Sequence, residues 1–275
     1  MKPAPFDYIR PRTLAEAHAV IAGEAGDARV LAGGQSLLPM LSMRLSRPKV
    51  VVDIMRLPEL AQITNESEAI RVGAAVRQAE LMAWPPLAKE QPLLASAMPW
   101  VGHAQTRSRG TICGSVAHAD PSAEIPLVLV ALEGEIEVSK HRRRRRIPAD
   151  QFFTGLMSTA REDDELIEAV VIPKKKRKQG FAFREFSRRH GDFAIVACAA
   201  VADDRGVRLA IGGVADRPVA RDLGELTGPA LTEALDAFAW DLDARDDLHA
   251  TARYRRELVR RMGRDTIEEA RRCRA

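Results

Sequence analysis

Two glycine loops, each placed where an apolar stretch gives way to a helix-like pattern, constrain this chain more than any other feature. The first is Leu31-Ala32-Gly33-Gly34-Gln35-Ser36-Leu37-Leu38-Pro39. Adjacent glycines let the backbone turn through conformations closed to other residues and let a ligand approach the main chain. A run of free N–H groups at such a loop collects the negative charge of phosphates. By itself the pair is also what an ordinary tight turn requires. The second loop, Arg107-Ser108-Arg109-Gly110-Thr111-Ile112-Cys113-Gly114-Ser115, leads into Val116-Ala117-His118-Ala119-Asp120-Pro121. No single G-x-G-x-x-G turn opens a helix, so a one-turn dinucleotide fold is not indicated. Two separate loops can instead clamp one pyrophosphate from opposite sides. Thr111 and Ser115 would add hydroxyl donors, and Asp120 a carboxylate for sugar or ribitol hydroxyls. Equally, these three residue types cap turns.

Composition narrows the classes. With 275 residues, 46% hydrophobic and 29% charged, the chain can bury a full core and is not disordered. No apolar run is long enough to span a bilayer, and Met1 to Tyr8 lacks the apolar core of a secretory signal, which makes the cytoplasm the expected location. Cys113, Cys198 and Cys273 are scattered and odd in number, against a disulfide framework, an iron-sulfur cluster or a zinc site in this chain. The histidines show no ligand spacing. Net charge is +4 and the isoelectric point about 9.1, yet the basic runs Arg142–Arg146 and Lys174–Lys178 lack interleaved aromatic residues. They read as a solvated hairpin turn and a linker rather than a nucleic-acid surface.

Along the chain, Thr13-Leu14-Ala15-Glu16 has the form of a capping box, and Leu14, Ala17, Val20 and Ile21 follow at helical spacing up to Gly23. Strand Arg29–Leu31, the first loop, a helix with Leu37, Leu38, Leu41 and Leu45 on its apolar face, and a doubly buried strand over 49–54 form a small α/β unit. After residue 56 come a strand over 69–74, helices from Gln78 and Pro92, the second loop, an apolar stretch 126–132, a hairpin carrying the arginine run, and a strand over 165–172. Beyond the basic linker, apolar segments over 181–186 and 193–201 and a strand over 207–215 precede helices over 230–240 and 252–272. Gly212-Gly213 reads as a bulge or close approach rather than a third phosphate loop.

Ala32-Gly33-Gly34-Gln35-Ser36-Leu37-Leu38-Pro39 with Arg44, and Thr111 through Glu124, resemble the paired FAD motifs of the medium subunit of molybdenum hydroxylases of the carbon monoxide dehydrogenase and xanthine dehydrogenase type. Phe6-Asp7-Tyr8, Asp150 to Gly155 and Tyr254-Arg255-Arg256 extend the resemblance over nearly the whole chain. It implies an α+β fold: a PCMH-type FAD-binding domain of two lobes over 1–174 (a small α/β lobe to about 56, a larger β-rich lobe over 57–174), then a C-terminal domain over 175–275 with an antiparallel sheet and helices. It further implies that Ala32, Gly33, Gly34, Gln35 and Ser36, with Thr111, Ile112, Cys113, Gly114 and Ser115, hold the FAD pyrophosphate. Asp120 would bind the ribitol or ribose portion, Leu166 would lie against the cofactor, and Phe193 would shield the flavin ring, although a phenylalanine opening an apolar run also suits a core.

The implied activity is oxidoreductase electron transfer, with no catalytic side chain in this chain. A heterotrimer is expected, with the molybdenum cofactor on a large partner, two-iron iron-sulfur clusters on a small one, and an external acceptor. A self-sufficient FAD-dependent oxidase and a flavin-free assembly subunit remain as alternatives. The family usually has Gly-Gly where this chain has Cys113-Gly114, and asparagine where it has Ser115. A side chain at Cys113 would either crowd the pyrophosphate, with a thiol activated by nearby N–H groups and arginines, or be a small tolerated residue.

Overall fold

The computed structural model describes residues 2–24, 26–141 and 143–274. The small lobe contains β1 (Asp7–Ile9), α1 (Leu14–Gly23), β2 (Ala28–Leu31), α2 (Leu37–Ser42) and β3 (Val50–Asp53). Its sheet runs β1-β3-β2 with both pairings parallel, so β3 is central and its three valines are buried, as a doubly covered parallel strand requires. Thr13 caps α1, its hydroxyl accepting from the Glu16 N–H at 3.1 Å. The apolar face expected of α2 is mostly not a core face. Leu41 is buried, but Leu38 and Leu45 are exposed, and Leu45 lies beyond the end of the helix.

The larger lobe comprises β4 (Ile63–Asn65), β5 (Ala69–Gly73), α3 (Gln78–Met82), α4 (Leu87–Glu90), α5 (Pro92–Ala97), α6 (Ala104–Arg107), α7 (Ile112–His118), α8 (Glu124–Ala131), β6 (Glu135–Lys140), β7 (Arg143–Pro148), α9 (Ala149–Phe152), β8 (Phe153–Gly155), β9 (Ser158–Thr159) and β10 (Leu166–Pro173). The main sheet is antiparallel in the order β4-β5-β10-β6-β7. Arg143–Arg146 do not form the hairpin turn the charge run suggests; they are the edge strand itself, while Arg142 lies outside the described residues. Edge strands resist unwanted pairing when they carry charge. Here the charge is matched: Arg144 meets Glu168 at 3.0 Å, Arg145 meets Glu165 at 2.7 Å, and Arg146 meets Glu137 at 2.7 Å. A cavity of about 580 Å³ over this face is lined by Arg144, Arg145, Arg146, Glu137 and Glu168 together with Arg71.

The C-terminal part holds β11 (Gly180–Phe186), β12 (Val196–Asp203), β13 (Gly206–Gly212), β14 (Val219–Gly224), α10 (Gly228–Asp241) and α11 (Ala252–Arg272). The four strands form an antiparallel meander. Both its faces are covered. Ala197, Ala199 and Val201 face the main core shared with the FAD-side helices, whereas Cys198, Ala200 and Ala202 face the core built with α10 and α11. Small side chains on β12 let helices approach from both sides. Lys174–Lys178 bridge the two parts, and Lys174 and Lys175 are tied down by N–H bonds to Glu68 O and Glu90 O.

Candidate cofactor-binding site

The two glycine loops meet backbone to backbone. A Cβ added at Gly33 would sit 2.3 Å from the Arg109 carbonyl oxygen and 2.6 Å from the Gly110 Cα, so only glycine permits this approach. Gly34 adopts φ +71°, in the left-handed region. Gln35 Nε2 donates to the Gly33 carbonyl at 3.1 Å, closing the turn on itself. Among the described residues, the backbone N–H groups of Gly33, Gly34, Gln35 and Ser36 meet no backbone acceptor. Gly33, Gly34 and Ser36 are half-buried and Gln35 exposed, so this row of donors is open to an outside partner, and an anion at the carboxyl end of β2 would suit it. The residues present therefore suit a pyrophosphate.

The second loop differs from its sequence reading. It ends at Thr111, where α7 begins, because the Thr111 hydroxyl accepts the Gly114 N–H at 3.0 Å as an N-cap. A Cβ at Gly114 would lie 2.7 Å from that hydroxyl, which explains a glycine inside the first helical turn. Thr111, Ile112 and Cys113 are buried, and Gly114 and Ser115 are only half-buried. Any contact from the first three to a ligand must go through backbone.

Cys113 settles one open choice. Its Sγ points to the Val72 carbonyl at 3.6 Å, inside the core and away from the first loop, and burial pushes the thiol up to about 12. The backbone there is helical, so neither crowding nor an activated thiolate applies. In the native protein Cys113 and Cys198 are expected to resist thiol reagents while Cys273, the exposed cysteine, reacts. Labelling stoichiometry before and after unfolding checks this; Cys113 modification in the folded state would contradict the burial.

Two residues not singled out in the sequence shape this region. Gln78 opens α3, its backbone N–H donating to Gly110 O at 2.8 Å and its Nε2 to Thr111 O at 3.4 Å, so it fixes the second loop from behind. Glu124 heads α8, 5% exposed, and burial holds its carboxyl up at about 7. A glutamate leading the otherwise apolar run Ile125–Ala131 was the available signal. Asp120 itself caps a turn, its Oδ1 accepting from the Ser122 N–H at 2.8 Å. The neighbouring Pro121 carbonyl accepts the Gly213 N–H at 2.8 Å, so Gly212-Gly213 is a close approach between domains, as its sequence suggests.

Phe193 is 63% exposed, which removes the core reading of this residue. It sits in the β11–β12 connection, where Gly191 (φ +88°) packs on His103 and Gly102, at the start of the segment leading into the second loop. Arg255 anchors that connection from α11: its Nη1 donates to Ile195 O and to Gly213 O, each at 2.6 Å, and its Nη2 pairs with Asp247. Leu166, by contrast, is 2% exposed and lies in the core of the large lobe. Its side chain is core packing and presents almost no surface to a ligand, because the start of β10 is covered on both faces.

Residues 4–175 match the family described as the FAD binding domain in molybdopterin dehydrogenase, and residues 181–270 match the CO dehydrogenase flavoprotein C-terminal domain. The chain belongs to the FAD-binding flavoprotein subunits of the molybdenum hydroxylases. It is 38% identical to the nicotine 6-hydroxylase medium subunit of Paenarthrobacter nicotinovorans, over 98% of this chain and 99% of that one. It is 35% identical to subunit alpha of the 6-hydroxypseudooxynicotine dehydrogenase complex of the same organism, over 98% and 96%. A solved carbon monoxide dehydrogenase structure from Hydrogenophaga pseudoflava superposes with a TM-score of 0.95 at 31% identity, covering 100% of both chains. As a flavoprotein subunit of this family, the chain is part of an oxidoreductase whose redox work is electron transfer.

Proposed function

We propose that this flavoprotein subunit seats FAD between the loop Ala32–Ser36 and the backbone of Thr111–Ser115, and relays electrons from the iron-sulfur centres of a small partner subunit to an external acceptor. Substrate oxidation then belongs to the molybdenum cofactor of a large partner. The observation that carries the reading is the contact of Gly33 with Arg109-Gly110 beside a row of unused N–H groups. Bound FAD supplies the reversible redox chemistry, and the protein supplies position and shielding. The N–H row of the first loop faces the pyrophosphate charge, and Gly114 and Ser115 close the opposite side. Asp120 keeps one carboxylate oxygen in its turn and offers the other to a hydroxyl. Phe193, in the connection that Arg255 fastens at the Ile195 carbonyl, covers the ring and excludes water. Leu166 backs the site from the core.

In this reading the cofactor domain spans 1–174, with lobes meeting near 56, and the C-terminal domain spans 175–275. The cytoplasm is the proposed compartment, in keeping with described helices none of which is long and apolar enough to cross a membrane. Affinity purification of the full chain from its own cell is expected to bring down two further subunits, one containing molybdenum and one with iron-sulfur absorbance. Recovery of the FAD-loaded chain alone, active on an organic substrate, would overturn the division of labour.

A further inference from the structure

The surface of α2 is apolar where a surface helix is ordinarily polar. Leu41 is its buried anchor, whereas Leu38 and Met43 are about half exposed and Leu45 is 70% exposed. The helix is only about 9 Å long, so these three side chains leave one small area of the lobe. Its end is also built at a cost. Arg44 N–H donates to Leu41 O at 3.0 Å and Leu45 N–H to Met40 O at 2.9 Å, a helix end that puts Arg44 at φ +59°. Glycine is the usual residue at such a position, and the apolar residue after it ordinarily packs back on the helix. Here an arginine holds the left-handed conformation and Leu45 stands in solvent. Single exposed leucines are ordinary, but an apolar cluster beside a strained arginine marks a surface that something covers.

The rim of this area is cationic. Arg44 donates through Nε to the Lys2 carbonyl at 3.2 Å, and Arg47 through Nε to the Arg44 carbonyl at 3.1 Å. Among the described residues, the one ion pair made by the small lobe joins Lys49 to Asp27, so neither guanidinium meets a carboxylate. An apolar centre bordered by arginine is the make-up of a protein–protein contact, and unmatched positive charge selects an acidic partner. Position says which partner. A Cβ at Gly34 would meet Leu38 Cδ1 at 2.9 Å, so Leu38 lies against the first glycine loop. Electron transfer slows steeply with distance. The subunit that hands electrons to FAD must therefore seat beside that loop, whereas one that oxidises substrate need not.

We propose that the exposed face of α2, with Leu45 at its centre and Arg44 and Arg47 at its rim, docks an acid-rimmed apolar surface of the small iron-sulfur subunit. The assignment rests on the electron relay proposed above. It accounts for leucines left in solvent, for an arginine kept in a conformation that suits glycine, and for guanidinium groups without carboxylates.

In the assembled complex, benzoylphenylalanine placed at Leu45 and irradiated is expected to cross-link to the small subunit. Adducts confined to the large subunit or to a second copy of this chain, or no adduct, overturn the proposal. Leu45→Glu gives an independent reading, because its carboxylate opposes an acidic surface and leaves the core untouched. Its affinity for the small subunit is expected to fall roughly a hundredfold and that of Arg47→Glu roughly tenfold, with wild-type affinity declining as salt rises. Both variants should keep wild-type FAD affinity and melt within about 2 °C of the wild type. Undiminished affinity for the small subunit, or a loss that FAD affinity shares, contradicts the docking role. A wild-type complex that forms the cross-link but never reduces its flavin through the iron-sulfur centres defeats the relay reading and leaves the contact standing. A reducible flavin without the cross-link defeats the docking surface alone.

Discussion

Gly33→Val is expected to weaken FAD binding by roughly a hundredfold or more, equivalent to about 3 kcal/mol, while leaving a folded protein. The valine Cβ would fall 2.3 Å from the Arg109 carbonyl oxygen and 2.6 Å from the Gly110 Cα. Both obstacles are backbone, so the clash is relieved only by parting the two loops. Parting them moves the N–H row away from the opposite wall, which is the geometry the pyrophosphate needs. Gly34→Val is the informative contrast. There the added Cβ meets the Leu38 side chain at 2.9 Å, and Leu38 is exposed and free to swing aside. What remains is the strain of a left-handed backbone, about 1–2 kcal/mol. Fluorescence titration with FAD should therefore rank wild type above Gly34→Val above Gly33→Val, with circular dichroism showing that all three fold.

The second large effect is expected at Arg255, a residue 5% exposed that holds three groups at once. Arg255→Met would strand the Ile195 and Gly213 carbonyls and the Asp247 carboxylate. Because Asp247 is itself well exposed, it returns to water at little cost; the two carbonyls do not. A loss of about 3 kcal/mol follows, which in a chain of this size lowers the melting temperature by roughly 6–12 °C. Amide exchange across 187–195 should accelerate, since Arg255 is what fastens Ile195, two residues beyond Phe193. Arg255→Lys is expected to restore little, because an ammonium lacks the planar fork that spans separate acceptors. A melting temperature unchanged in Arg255→Met would show that the network carries no stability.

Much of this was legible in the residues, and the exceptions have physical causes. The turn at the first loop and the strands on either side of it could be read directly from adjacent glycines between apolar runs, but β1, which pairs with β3 from the chain's start, could not. The pairing of the loops was also legible, but not its asymmetry. Gly114 made the second motif look like loop throughout, whereas the Thr111 cap and the burial of Ile112 and Cys113 outweigh the roughly 1 kcal/mol that glycine costs a helix. The arginine run hid a strand because four like charges show no alternation, and the glutamates that pair with them come both from the facing strand β6 and from the later residues Glu165 and Glu168. Phe193 had two readings until its exposure separated them, and Leu166 shows the reverse, a motif residue that packs in the core.

The central claim is that the loop of Gly33 and Gly34, closed against Arg109-Gly110, holds FAD. It is tested most directly by titrating the purified full-length chain, stripped of flavin, with FAD beside Gly33→Val. The account predicts saturable binding by the wild type with a single site, and none measurable by the variant in the same range. Equal binding by both proteins, or none by the wild type, would contradict it.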